Sequence, residues 1–145
     1  MDLLFSTDPV LSLFILRVVL GIIFFAHGAQ KVLGWFGGHG LVATVGGMKS
    51  MGLPEPIAYM VCFFEFLGGT GLIVGLLTRL DALAIAIVMI GAIATVHIKN
   101  GFFLNWEMAP GKGHGIEANL ALLAMAVALV LDGGGWLSLD QLIVP

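Results

Sequence analysis

Seven polar or ionisable residues interrupt the long apolar stretches of this chain and are the candidates for chemistry. The candidate catalytic residues are Glu65, His27 and His97, and the candidate ligand-pocket residues are Arg17, Gln30, Lys31 and Glu117. Imidazole and carboxyl groups transfer protons, and an ammonium group stabilises developing negative charge. Ionisable residues within apolar spans are costly to place, so they indicate a binding site or a proton pathway.

Glu65 lies in the middle of the apolar stretch "CFFEFLGG", residues 62–69. An ionised carboxylate is costly to bury, so it needs a partner, a proton or a use. Three interpretations are open: a structural ion pair with Arg17 or Lys31, a protonated acid bonded to a neighbouring helix, or a group that handles protons or binds a ligand. Arg17 cannot lose its proton, so it must either pair or extend to the headgroups.

The depth of these residues within the apolar segments predicts that most of them meet on one side. His27 and Lys31 are four residues apart near the end of the first segment, so they share a helix face. His97 ends the third segment and Glu117 begins the fourth, both on that side. Glu65 lies about eight residues further in, near mid-membrane at about 1.5 Å per residue. We therefore expect a polar pocket between helices, with Glu65 at its base.

The composition indicates an integral membrane protein. The chain has 145 residues, of which 59% are hydrophobic and 10% charged, and its mean hydropathy is +1.08. A soluble domain carries about 25% charged residues. The net charge of −3 and the lack of a basic cluster exclude nucleic-acid binding. The acidic start lacks the basic residues of a secretory signal, so we expect the first apolar segment to remain as a membrane helix.

A membrane helix needs about 20 apolar residues, and four segments of this chain qualify. They cover about residues 10–32, 57–77, 80–98 and 115–131. We predict an all-α fold, a membrane four-helix bundle that forms a single domain over residues 1–145. Small residues such as Gly71 and Gly75 favour close helix packing within the bundle or, alternatively, a homo-oligomer contact.

The connections between the segments predict the topology. The first is long and contains glycines and two prolines, and its middle, residues 41–51, is predicted as a short interfacial helix. Lysines 31, 49, 99 and 112 fall on the side of the two long connections, and Arg79 and Arg17 fall toward the other. The positive-inside rule then places the termini outside and the long connections in the cytoplasm.

Other motifs give weaker signals. His114 and Glu117 form an H-x-x-E pair, but a di-metal carboxylate site needs more carboxylates than this chain offers. His27 and His97 would in principle ligate a haem, although no other feature indicates one. Cys62 is the single cysteine, so intrachain dithiol chemistry is excluded and burial as a small apolar residue is expected. We predict no metal site and no covalently bound cofactor.

Several separated motifs, taken in order, resemble the DoxX family of small bacterial membrane proteins. They are "LRVVLGIIFFAHGAQKVLGWFGG", "FFEFLGGTGLIVGLLTRLDAL", "HIKNGFF" and "HGIEANLALLAMAVALVLDGGGWLSLD". The resemblance spans about residues 16–140. It implies a four-helix membrane bundle in the bacterial inner membrane and, from the family's naming after a thiosulfate:quinone oxidoreductase subunit, an oxidoreductase link. It assigns no catalytic residue.

The expected function is therefore a membrane subunit of a redox system, linked to quinones or to sulfur and thiol chemistry, with quinone as the candidate cofactor. In this interpretation the histidines donate hydrogen bonds or protons and Glu65 relays protons. One alternative is a non-enzymatic scaffold that anchors partners through the long connections. The other is a small proton-coupled transporter, which would require a homo-oligomer. The expected partners are the lipid bilayer and redox proteins, soluble or in the membrane.

Overall fold

The structure is a computed structural model that describes the backbone of residues 2–143 and the side chains of residues 4–143. The described residues form helices and loops and contain no β-strand. The predicted all-α fold is therefore confirmed. The helices are α1 (Asp2–Phe5), α2 (Leu11–Val32), α3 (Gly40–Ser50), α4 (Glu55–Val74), α5 (Thr78–Ala92), α6 (Glu117–Asp132) and α7 (Asp140–Ile143).

Three of these helical segments are long and apolar enough to cross a membrane. They are Leu11–Val32, Glu55–Val74 and Thr78–Asn100, the last being α5 together with a π-helical turn, Ile93–His97, and a 3-10 turn, Ile98–Asn100. Helix α6 has 16 residues. At about 1.5 Å per residue it extends about 24 Å, less than the roughly 30 Å of a bilayer core. Three of the four predicted spans are thus supported by length and composition.

The second predicted span, 57–77, ends three residues early. Helix α4 stops at Val74 because Gly75 adopts a left-handed conformation with a φ of 73°. Glycine is the residue that takes this conformation at little cost, so it commonly ends helices. The short helix predicted at 41–51 is present as α3, Gly40–Ser50.

Helices α2 and α4 pack closely because glycines stand where they cross. A Cβ atom on Gly21 would lie 2.8 Å from the backbone nitrogen of Ile73. A Cβ on Gly28 would collide with the backbone of Phe66. Small residues let backbones approach where lipid provides no hydrophobic drive for association. The close approach brings the end of α2 beside the middle of α4, where Glu65 lies.

A hydrophobic core joins α2, α4, α5 and α6. Its fully buried members include Leu20, Phe24, Leu72, Ile85 and Leu129. The predicted small residues Gly71 and Gly75 also face neighbours in the same chain, since a Cβ at either position would meet Asp81, Arg17 or Ser138. Their use in packing within one chain is therefore supported.

Arg17 is buried near the opposite end of the molecule from the long connections. Its guanidinium donates hydrogen bonds to five backbone carbonyl oxygens, those of Leu72, Ile73, Gly134, Trp136 and Leu137, at 2.6–3.3 Å. These acceptors belong to the end of α4 and to the segment before α7. Arg17 thus ties α2 to two distant parts of the chain.

Candidate functional site

Polar residues from five parts of the chain meet in one cavity near the two long connections. The cavity has a volume of about 370 Å³ and lies between α2, α4, the end of α5 and the start of α6. Its polar lining consists of His27, Lys31, Glu65, His97, His114 and Asn119. Its apolar lining consists of Phe24, Met89, Ala92, Leu104, Ala118 and Leu122.

Lys31 and Glu65 form an ion pair in this cavity. The ammonium group of Lys31 donates a hydrogen bond to Oε2 of Glu65, and the side chains are 24% and 5% exposed. The pair exists because the crossing at Gly28, one turn before Lys31, sets α2 directly against residues 65 and 66 of α4. Of the interpretations open for Glu65, the structure therefore supports the ion pair with Lys31 rather than with Arg17. A charged pair that lines a cavity is still available to a ligand.

His27 lies one turn before Lys31 on the same face of α2, as the four-residue spacing predicts. Its side chain lines the cavity and is exposed in the isolated chain. No hydrogen bond to another described residue holds the ring of His27. The ring is therefore free to bond a ligand.

His97 reaches the cavity from the π-helical turn at the end of α5. Such turns are rare and occur often at functional sites. Nδ1 of His97 lies 2.9 Å from the carbonyl oxygen of His114, in the connection between the third and fourth helical segments. The same carbonyl oxygen accepts a hydrogen bond from the Asn100 side chain at 3.1 Å.

The connection over residues 101–116 closes one side of the cavity and is held by Asn105 and Glu117. The buried Asn105 side chain bonds the backbone of Ala109 and Lys112 at 2.7–3.1 Å. Oε2 of Glu117 accepts the backbone N–H of Leu104 at 3.0 Å. Leu104 itself lines the cavity, so Glu117 positions the cavity wall from behind.

The structure gathers four of the seven predicted residues into the cavity, namely His27, Lys31, Glu65 and His97. The other three lie elsewhere. Arg17 bonds backbone carbonyls in another part of the fold, Gln30 donates to the carbonyl oxygen of Phe36 at 3.1 Å, and Glu117 supports Leu104. Cys62 is fully buried beside Val45 and Ala58, as its expected role as a small apolar residue requires.

Two cavity residues, His114 and Asn119, were missed as pocket residues. The three-residue spacing of His114 and Glu117 indicates only a candidate metal pair. Asn119 begins the apolar run of α6 and donates a long hydrogen bond to Sδ of Met89 at 3.5 Å. The recurrence of polar residues at 114, 117 and 119 beside an apolar run was the available signal.

A second cavity lies on the other side of the Lys31–Glu65 pair. It has a volume of about 380 Å³ and an apolar lining from α4, α5 and the end of α3 that includes Met48, Met51 and Met60. Lys31, Glu65 and Ala92 line both cavities. The ion pair therefore stands at the boundary between a polar space and an apolar one.

Within residues 2–143, no group of three or more His, Cys, Asp or Glu side chains is arranged to hold a metal ion. The polar groups of the cavity are suited to hydrogen bonding and proton transfer. They are one ammonium, one carboxylate, three imidazoles and one amide.

Comparison with known proteins gives matches over most of the chain. The chain is 35% identical over 129 residues to a Bacillus subtilis protein named "Putative oxidoreductase CatD". This alignment covers 89% of this chain and 84% of that protein. The chain is 29% identical over 135 residues to an uncharacterized membrane protein of Mycobacterium tuberculosis, covering 90% of this chain and 80% of that one. No solved structure gives a significant match. The DoxX family model matches residues 12–98, which cover α2 beyond its first residue, all of α4 and α5, and the cavity residues from His27 to His97. The chain therefore belongs to the DoxX family.

Proposed function

We propose that this protein is a membrane subunit of a redox system and that its polar cavity binds the head group of a quinone. The observation that carries the proposal is the Lys31–Glu65 ion pair at the junction of a polar cavity and an apolar one. A quinone combines a polar ring with an apolar chain. The name of the Bacillus subtilis relative, an oxidoreductase, agrees with a redox role.

The cavity residues fit a quinone ring in size and chemistry. The volume of about 370 Å³ falls within the roughly 300–1,000 Å³ of small-molecule sites. The side chains of Phe24, Met89 and Leu122 offer apolar surface to a ring. The rings of His27 and His114 and the Lys31 ammonium offer donors to its carbonyl oxygens.

The chain's own residues would handle protons and charge. Lys31 stabilises negative charge that develops on a bound oxygen. Glu65, bonded to Lys31, accepts or returns a proton at the base of the cavity, and His27 and His97 exchange protons nearer its opening. A quinone held by these residues would supply the electron-accepting chemistry, taking up two electrons from a partner redox protein at the long connections and two protons through the cavity residues.

The proposal includes the membrane topology. Helix α6 completes a four-helix membrane bundle, and residues 1–145 form one domain of the bacterial inner membrane. The long connections face the cytoplasm and the termini face outside, because the lysines of the connections outnumber the arginines near the other side. In that orientation the polar cavity opens toward cytoplasmic donors of electrons and protons.

Binding of a short-chain quinone to the purified protein in lipid nanodiscs tests the proposal. We expect saturable binding, which Lys31→Met weakens about tenfold through the loss of about 1.4 kcal/mol of interaction. Lys49→Met is the matched control, since Lys49 also pairs with a glutamate on this side of the fold but lines neither cavity. A wild-type protein that binds no quinone, or equal loss in both variants, would contradict the proposal.

A further inference from the structure

Two cavity histidines make hydrogen bonds that fix their tautomers. The backbone N–H of Asn105 points to Nδ1 of His114 at 3.1 Å. A backbone N–H can only donate, so Nδ1 of His114 must carry a lone pair, and in the neutral ring the proton lies on Nε2. His114 is therefore set as a donor through Nε2.

His97 is set the opposite way by the same connection. Its Nδ1 lies 2.9 Å from the carbonyl oxygen of His114. A carbonyl oxygen can only accept, so Nδ1 of His97 must carry the proton, and Nε2 of the neutral ring has a lone pair. The backbone N–H of Asn105 and the backbone carbonyl oxygen of His114 thus hold the two imidazoles in opposite tautomers.

Both histidines line the cavity, and neither Nε2 atom has a hydrogen-bond partner among residues 2–143. We infer that the cavity is polarised, with Nε2–H of His114 as the donor and Nε2 of His97 as the proton acceptor for one ligand. The matching ligand is a quinol ring, in which one hydroxyl oxygen accepts from Nε2–H of His114 and the other hydroxyl group donates to Nε2 of His97. This inference rests on the proposed function and names the groups that would form hydrogen bonds with its ligand.

The surrounding contacts keep this polarity fixed before a ligand arrives. Asn105 is 5% exposed, and its side chain bonds the backbone on both sides of the turn over residues 109–112. The carbonyl oxygen of His114 has a second donor in Asn100. Second contacts of this kind hold a functional side chain in one orientation, which lowers the cost of binding. His114 is thereby added to the residues expected to contact the ligand.

The nitrogen NMR spectrum of histidine side chains in the full-length protein tests the tautomers without a ligand, because protonated and unprotonated ring nitrogens resonate far apart. We expect a protonated Nε2 for His114 and a protonated Nδ1 for His97, with signals assigned by their loss in His114→Asn and His97→Asn. The same tautomer at both positions, or the reverse pair, would overturn the inference. Because no quinone is present, this result is independent of the proposed function.

Binding of a short-chain benzoquinol then tests the use of the two Nε2 atoms. Asparagine places a polar atom near Nδ1 and glutamine places one near Nε2. We expect His114→Asn and His97→Asn to weaken binding about tenfold, and the glutamine variants to weaken it less. The reverse order would show that the rings act only through their Nδ1 contacts and would overturn the inference. His39→Asn, outside both cavities, is the control.

Discussion

Each end of the helix assembly holds a cation of α2 among its contacts, but the environments of the two cations differ. Near the termini, Arg17 is fully buried, and each nitrogen of its guanidinium donates to a backbone carbonyl oxygen. Near the long connections, Lys31 remains 24% exposed and pairs with the carboxylate of Glu65 in a cavity. Carbonyl acceptors are fixed in place and do not titrate, whereas an ammonium–carboxylate pair can exchange a partner or a proton. The first end is therefore built for structure, and the second retains groups that a ligand can use.

The terminal end is reinforced by a second set of contacts. Leu77 adopts a left-handed conformation with a φ of 54°, unusual for a residue with a side chain. The Asp140 carboxylate accepts the N–H groups of Leu77 and Thr78 at 2.7 and 2.9 Å, at the beginning of α5. Arg79 donates to the carbonyl oxygens of Val130, Leu131 and Ser6. Ionic side chains at this end therefore bond to the backbone of sequence-distant segments.

The comparison predicts its largest effect for Arg17→Gln. Two of the Arg17 hydrogen bonds, to Leu72 and Gly134, are fully buried, and each bond to a charged group contributes about 1.5–3 kcal/mol. We expect a loss of about 3 kcal/mol or more in the free energy of unfolding, measured by denaturant titration in nanodiscs or mixed micelles. The folded fraction should bind quinone with unchanged affinity. A stable variant with weakened binding would contradict the assignment of this end to structure.

A smaller effect is expected at the Lys31–Glu65 pair, where a double-mutant cycle separates structure from function. Removal of one partner leaves the other charge unpaired and should cost about 2 kcal/mol of stability, below the 3–5 kcal/mol of a fully buried pair because Lys31 is 24% exposed and water reaches the pair. The double variant Lys31→Met with Glu65→Leu should recover most of that stability, since no lone charge remains. Quinone binding should stay weakened in the double variant. Recovery of both properties would reduce the pair to a structural contact.

The sequence predicted much of the second end and little of the first. His27, Lys31, Glu65 and His97 could be brought together by counting depth along regular helices, because helix geometry converts sequence position into height. The hydrogen-bond partners of Arg17 could not be predicted in this way. Gly134 and Trp136 lie more than a hundred residues from Arg17 in the sequence, in a loop that has no helical periodicity. His114 was missed as a pocket residue for the same reason. Its position depends on how Asn105 folds the connection, not on a helix register.

A third prediction concerns Asp140, the cap of α5. Replacement by alanine removes both acceptors for the N–H groups of Leu77 and Thr78, and loss of a capping side chain costs about 1–2 kcal/mol. We expect this decrease in unfolding free energy with normal quinone binding. Asp140→Asn, which retains one acceptor oxygen, should lose less. If alanine and asparagine were equally destabilising, the negative charge rather than the hydrogen bonds would be the source of the stabilisation.

The smallest effect is predicted for Lys49→Gln, which tests an exposed ion pair on the same side as the cavity. Nζ of Lys49 lies 2.6 Å from Oε2 of Glu55, and both side chains are about half exposed, at 49% and 50%. The hydrogen bond and charge of Glu55 raise the pKa of Lys49. A raised pKa means that the pair's contribution to stability is present below the ordinary lysine pKa and is lost as the pH rises through the raised value, well above neutrality.

Exposed ion pairs contribute little to stability because water screens them, so we expect Lys49→Gln to cause no measurable change in the melting temperature at pH 7 and no change in quinone binding. A clear loss of quinone binding would move the functional region from the cavity to the face formed by α3, and the contrast between the two ends would then no longer depend on Lys31 and Glu65.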